Sequence, residues 1–360
     1  MKDRTVYLVL ENGKVFSGHS FGASGETVGE IAVSTSMVGY LETLTDPSYF
    51  GQIVVQTFPS IGNYGVIASD LESDAAYLKA YIVREWCQEP SNFRCEGNLD
   101  TFLKDQGVIG LYGIDTRELT RIVRAEGSMN AKVTFDISNI PAIVEELKSY
   151  TIKGAVDAVT SKEVAVFKAE EETVAKLAVL DLGTRLEFIR AFTSRGCEVT
   201  VLPASTTAET ILEGGFDGVF LTSGPGDPTE NTAVIETVKT LLNKGIPLFG
   251  IGLGHQILAL AHGAKTEKMA YGHRGGSQPS LQLGTTRIHN TPQNHGYTVV
   301  RESLPEGAVV LYENVNDGDI EGLAYNGEKA FSVQFYPSRD VCADYDRFVD
   351  MMKGGDESCR

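Results

Sequence analysis

Four short stretches hold the residue types from which a catalytic or binding site could be built. Ser223-Gly224-Pro225-Gly226-Asp227-Pro228 packs two glycines and two prolines into six residues, which fixes a tight turn with exposed backbone N–H groups able to hold a carbonyl or an anion. Gly250-Ile251-Gly252-Leu253-Gly254-His255-Gln256 lies where a strand should turn sharply into a helix. Corners of this kind present a nucleophile on a strained backbone, yet the corner residue here is Gly252, which has no side chain. Pro292-Gln293-Asn294-His295-Gly296-Tyr297 reads either as a substrate-contacting loop or as a plain hairpin turn. Phe331 to Ser338 reads as a late core strand ending in a proline turn. A dinucleotide fingerprint fails at the corner, because its sixth position is His255, and no GxxxxGK[ST] phosphate loop occurs.

The elements that must position these loops are legible from residue 175 onward. Strand-like runs at 177–181, 198–202, 218–222 and 247–251 alternate with helical patterns at 185–194, 207–213, 232–244 and 256–262. That alternation predicts a doubly wound α/β sheet, whose ligands sit beyond the carboxyl ends of the strands. The first 150 residues read as mixed α and β. Asn12-Gly13 between two apolar runs predicts a hairpin. Strands are expected at 29–33 and 52–56. Ala75, Leu78, Ile82 and Trp86 recur at helical spacing and predict a helix over 74–87. Asp115 with Glu118 opens a second helix that Gly127 ends, and Pro141 starts a third running to about Tyr150. The acidic run Glu170–Glu172 marks 153–174 as a solvated linker between domains at 1–152 and 175–360.

Composition narrows the function classes. The chain has 360 residues, 31 basic and 48 acidic, for a formal net charge of −17. Such a surface repels phosphate backbones, so no nucleic-acid partner is expected. No apolar run reaches 18 residues, so no membrane span is expected, and the N-terminus lacks a signal-peptide layout. Cys87, Cys95, Cys197, Cys342 and Cys359 form no CxxC pair, which points to free thiols and a cytoplasmic location. The histidines lack close Cys/Asp/Glu spacing, so no metal is expected.

Taken together, these segments resemble the small subunit of glutamine-dependent carbamoyl-phosphate synthase over nearly the whole chain. The N-terminal part of the resemblance rests on Ser34 to Tyr40, Leu44 to Tyr49, Ile61-Gly62-Asn63, Gly113 to Arg117 and Leu119 to Arg124. The C-terminal part rests on Gly224 to Pro228, Phe249 to Gln256, Gly272 to Gly276 and Gln293 to Gly296. The resemblance implies an N-terminal mixed α/β small-subunit domain that mainly contacts a partner, followed by a class I glutamine amidotransferase-like doubly wound sheet. It implies a large-subunit partner that uses ATP, with Mg, and bicarbonate to make carbamoyl phosphate for arginine and pyrimidine synthesis. No cofactor is implied on this chain. In the family an elbow cysteine attacks the glutamine amide, helped by a histidine and a glutamate, and ammonia passes through a tunnel.

The sequence departs from that pattern at the chemistry. The family's elbow Gly-Ile-Cys-Leu-Gly-His-Gln has Gly252 at the cysteine position, and its late Gln-x-His-Pro-Glu has Tyr336 and Ser338 at the histidine and glutamate positions. Cleavage by this route needs a thiolate, a base near neutral pH and a group that orients the base. Gly252 offers no nucleophile. A tyrosine phenol, ordinarily titrating near pH ~10, is a poor base at neutrality. Ser338 brings no charge, and the last histidine in the chain is His295. By resemblance the glutamine-binding positions are Ser48, Gly224, Gly226, Leu253, Gln256, Asn294, Gly296 and Tyr297, and all match the family or change conservatively. They fit a pocket that binds glutamine without cutting it, and equally loops that need these residues for shape. His255 is expected to pack at the helix start, and Cys342 has no base beside it. Three functions remain open: an ammonia-using subunit of the synthase, a non-catalytic glutamine or amino-acid sensor, and a repurposed amidotransferase-fold enzyme.

Overall fold

The structure, a computed structural model, describes residues 5–337 and 341–354. The chain divides into two compact units, one of Met1–Lys153 with Ala270–Gly275, the other of Gly154–Met269 with Gly276–Arg360.

The first unit is built on a closed barrel. Its elements in chain order are β1 (Thr5–Leu10), β2 (Val15–Gly22), β3 (Thr27–Ser34), α1 (Tyr40–Thr45), β4 (Gln52–Gln56), β5 (Ser60–Ile61), β6 (Ala80–Ile82), β7 (Glu85–Trp86), α2 (Leu99–Asp105), β8 (Ile109–Tyr112), α3 (Thr116–Glu126), β9 (Asn130–Thr134) and α4 (Ile140–Ser149). The barrel order is β1-β2-β8-β6-β4-β3-β9. Alternation fills it: Val6, Leu8 and Leu10 of β1 face the interior with Ile53, Val55, Ala80, Ile82 and Leu111. The Asn12-Gly13 turn joins β1 to β2, with Gly13 at φ +85, where only glycine turns without strain. Asp115 caps α3 by accepting the Glu118 N–H at 3.0 Å, and Gly127 closes it.

The helix expected over 74–87 does not form. Residues 80–82 are a strand paired in parallel with β4 and β8. Ala80 and Ile82 point into the barrel while Tyr81 and Val83 face a second apolar cluster. A strand buried on both faces shows no polar alternation, so its apolar residues happened to match helical spacing.

The second unit is a ten-stranded sheet among the described residues, in the order β10-β12-β11-β13-β14-β19-β18-β17-β15-β16. Its elements are α5 (Ala155–Val159), β10 (Ala165–Phe167), β11 (Ala175–Asp181), α6 (Leu186–Thr193), β12 (Cys197–Pro203), α7 (Ala208–Glu213), β13 (Gly218–Leu221), α8 (Thr232–Asn243), β14 (Leu248–Ile251), α9 (Leu253–Ala261), β15 (Thr266–Gln282), β16 (Ile288–Val299), β17 (Ala308–Asn314), β18 (Ile320–Tyr325), β19 (Ala330–Val333) and α10 (Ala343–Met352). β12, β11, β13, β14 and β19 run parallel, as the strand–helix alternation requires. Apolar residues of β11 split between two cores, Ala178 and Leu180 on one face and Leu177 and Val179 on the other.

Two expectations change. The stretch 153–174 is not a bare linker: α5 buries Ala155, Val156 and Val159, and β10 adds an antiparallel edge strand to β12. The exposed charges dominate its composition, and the few apolar residues that pack are hidden among them. Residues 292–297 are neither loop nor turn, but lie inside β16. Pro292 and Gly296 look like turn residues, yet an edge strand tolerates proline, and Thr291, Gln293 and His295 alternate as its buried side.

Candidate functional site

The corner after β14 keeps the geometry of a nucleophile elbow without the nucleophile. Gly252 sits at φ 59, ψ −112, a conformation that costs an L-residue strain and costs glycine almost none. Its N–H donates to the Val333 carbonyl at 3.0 Å, and Gly254 N–H donates to the Thr222 carbonyl at 3.0 Å. The corner is therefore tied to the ends of β19 and β13. Gly254 is glycine for packing, since a Cβ there would lie 2.3 Å from the Leu221 carbonyl oxygen. Gly252 has more room. A Cβ there would meet Ser223 Cβ at 3.1 Å and the Gln334 carbonyl oxygen at 3.9 Å.

The position that the resemblance gives to the base holds a buried ring. Tyr336 is buried, and its N–H donates to the Pro292 carbonyl at 2.9 Å. The Arg185 guanidinium lies 4.4 Å from its ring centroid, and Phe188 meets it edge-on at 5.8 Å. Arg185 in turn pairs with Glu187 at 3.2 Å. Ser338 lies outside the described residues. His255, as expected, packs at the start of α9: it is fully buried, and its Nδ1 lies 2.8 Å from Ser332 Oγ. Burial pushes its pKa down to about 3, so it stays neutral. Cys342 packs against the apolar core.

Most positions singled out for glutamine lie in the second unit. Gly224 and Leu253 meet, since a Cβ on Gly224 would be 2.9 Å from Leu253 Cδ2 and only 2.2 Å from the Leu182 carbonyl oxygen. Gly226 takes φ +88 against Ala155. Gln256 reaches from α9, its Nε2 donating to the Tyr297 carbonyl at 2.7 Å and to Gln334 Oε1 at 2.9 Å. Asn294, Gly296 and Tyr297 lie on β16, with Asn294 Nδ2 buried and lacking a hydrogen-bond partner. Ser48 belongs to the first unit, buried in the turn Pro47–Tyr49, where its N–H donates to Asp46 Oδ1 at 2.8 Å.

Two residues of this neighbourhood escaped sequence reasoning. Ser223 was read only as part of a turn, yet its buried hydroxyl lacks a hydrogen-bond partner beside the elbow. Arg185 was read only as a helix start. Its position just past the end of β11, where ligands of such sheets gather, was the available signal. The arrangement keeps a hydrogen-bonded elbow, and at the two described positions that the resemblance gives to the triad it offers neither thiol nor imidazole.

Comparison with known proteins places the chain. Residues 8–133 match the family model "Carbamoyl-phosphate synthase small chain, CPSase domain", and residues 178–340 match "Glutamine amidotransferase class-I". The carbamoyl phosphate synthase small chain of Clostridium perfringens is 45% identical over 330 residues, covering 92% of this chain and 93% of that one. That of Fusobacterium nucleatum is 43% identical over 349 residues, covering 95% and 96%. The pyrimidine-specific small chain of Halalkalibacterium halodurans is 43% identical over 353 residues, covering 96% of each. With both halves of the chain matched and more than nine-tenths of its length shared at this identity, the chain belongs to the carbamoyl-phosphate synthase small-chain family.

Proposed function

We propose that this chain is the small subunit of a carbamoyl-phosphate synthase that takes its nitrogen from free ammonia, because the chain itself cannot hydrolyse glutamine. The observation that supports it is the elbow: Gly252 holds the nucleophile's strained backbone with no side chain, while Tyr336 fills the base position under the Arg185 guanidinium. Amide cleavage through a covalent intermediate needs a nucleophile and a base, and neither is supplied at these positions. The partner is a large chain that binds ATP and bicarbonate, and the product supplies pyrimidine or arginine synthesis in the cytoplasm. No helix among the described residues is long and apolar enough to cross a membrane.

The pocket wall outlasts the chemistry because the same residues hold the fold. Gly224 is required by its contact with Leu182, and Gln256 joins α9 to β16 and Gln334. The buried Ser223 hydroxyl and Asn294 amide leave polar capacity for a glutamine that binds without turnover. The test is carbamoyl phosphate formation by this chain purified with its cognate large chain, with glutamine and ammonium supplied separately and glutamate assayed in parallel. Turnover with ammonium alone is expected. Glutamate released in step with product would refute the proposal.

A further inference from the structure

At the corner after β14 the hydrogen-bond acceptors are used and donors are left over. The Val333 carbonyl takes the Gly252 N–H at 3.0 Å, and the Thr222 carbonyl takes the Gly254 N–H at 3.0 Å. The Ser223 carbonyl takes the Thr222 hydroxyl at 2.9 Å. Three donors remain among the described residues that meet Gly252. One is the Ser223 hydroxyl, without a partner on a residue only 2% exposed. Another is the Leu253 N–H, since α9 starts with no side-chain cap and Leu253 is its first residue.

The third is Gln334 Nε2, and a relay of amides fixes it as a donor. The Tyr297 carbonyl can only accept, so Gln256 turns Nε2 toward it at 2.7 Å. The same Nε2 donates to Gln334 at 2.9 Å, which must therefore present Oε1. Gln334 Nε2 is left over, without a partner on a residue 1% exposed. The Asp181 carboxylate does not draw on these donors, because it already accepts the N–H groups of Ser161, Gly183 and Thr184.

These residues border open space. Apart from Ser223, the nearest atom to a Cβ built on Gly252 is the Gln334 carbonyl oxygen at 3.9 Å. A thiol at residue 252 would stand in that space, so the glycine that removes the nucleophile also opens a seat. Three donors face it against one carbonyl acceptor. A carboxamide would bring an NH₂ group that needs acceptors, whereas a carboxylate brings two oxygens that only accept. Negative charge is also favoured at the start of α9, the positive end of its dipole.

We propose that this corner seats a side-chain carboxylate, so that the pocket takes an acidic amino acid, glutamate, in preference to glutamine. The inference rests on the reading above that the pocket binds without turnover. Its ligand differs from that of a hydrolysing site because the corner has lost a nucleophile and kept its donors.

The test is isothermal titration of the full chain with L-glutamate, L-glutamine and acetate near neutral pH, repeated on Ser223→Ala, with Tm measured for both proteins. Glutamate is expected to bind at least tenfold more tightly than glutamine. Ser223→Ala is expected to weaken glutamate at least fivefold and glutamine less than twofold, because a hydrogen bond to a charged group is the stronger one. Should Ser223→Ala fail to fold, the wild-type ratio decides alone. Equal affinities for the two amino acids, or a folded Ser223→Ala that binds glutamate like wild type, would overturn the proposal and leave the non-hydrolysing pocket standing. Binding of neither amino acid would overturn both, while the ammonium-dependent reaction is judged by its own assay. Acetate binding as tightly as glutamate would overturn the amino-acid assignment in favour of a free oxyanion at the corner.

Discussion

Substituting Gly252→Cys returns the family's nucleophile and nothing else, so it separates the backbone of the elbow from its chemistry. At φ 59 and ψ −112 a residue with a Cβ is strained, at a cost of about 1–3 kcal/mol. The new Cβ would sit 3.1 Å from Ser223 Cβ, which must yield by a few tenths of an ångström and places the cost toward the upper end. Gly252→Ala should show the same loss, because the strain belongs to the backbone. The returned thiol still faces a position held by Tyr336, itself pinned by Arg185 at 4.4 Å and Phe188 at 5.8 Å. Without a general base, a step worth ~10²–10⁴ in rate is missing. Urea unfolding should therefore report a destabilised protein, iodoacetamide labelling in urea with mass analysis one more thiol than wild type, and a coupled glutamate assay only background release. Glutamine hydrolysis by this single variant would refute the reasoning, since it would reveal a base other than residue 336. An unchanged unfolding midpoint in both variants would refute the strain.

Other residues give independent checks. Asp344 is buried at the start of α10; desolvation raises its carboxyl to about 7 from an ordinary 3.8, against the lowering influence of Arg347 and of the Tyr312 hydroxyl 3.5 Å away. The folded state therefore holds this proton to higher pH than the unfolded chain, so stability falls as pH rises from about 4 to about 7 and stays reduced above that. Asp344→Asn should be more stable than wild type at pH 8, by up to ~4 kcal/mol, with the difference shrinking to ~1 kcal/mol near pH 4.5 and toward zero only below the ordinary carboxylate value. A difference that does not vary with pH in urea titrations would contradict this. Gly224→Ala drives a methyl to 2.2 Å from the Leu182 carbonyl oxygen and should cost ~3 kcal/mol or more, or prevent folding, as read by thermal unfolding and soluble yield. Gln256→Ala leaves Tyr297 and Gln334 short of a buried donor and should cost ~1–3 kcal/mol by urea titration, while Gln256→Glu should cost more because it also buries a charge.

Local patterns were enough wherever the physics is local. The Asn12-Gly13 turn, the Asp115 cap with its Gly127 stop, and the strand–helix alternation from residue 175 onward need only neighbours in sequence to specify them. The departure from the family's triad pattern was equally legible, because the residues at 252, 336 and 338 can be read in any fold. What stayed hidden depends on groups distant along the chain. Residues 80–82 became a strand because β4 and β8 offered parallel edges on both sides, a pairing that spans dozens of residues and leaves no alternation to read. Residues 292–297 extended because the segment closes the edge of a sheet, although their proline and glycine suit a turn. Residues 155–167 joined the second unit because a few apolar side chains found a core that their charged neighbours conceal. Sequence thus determined which elements form by short-range hydrogen bonding and which reactive groups exist. Tertiary structure alone decided that Arg185 would lie across Tyr336 and that Ser223 would stand buried beside an empty elbow. Burial and approach are properties of the packed chain, set when distant segments compete for the same apolar space.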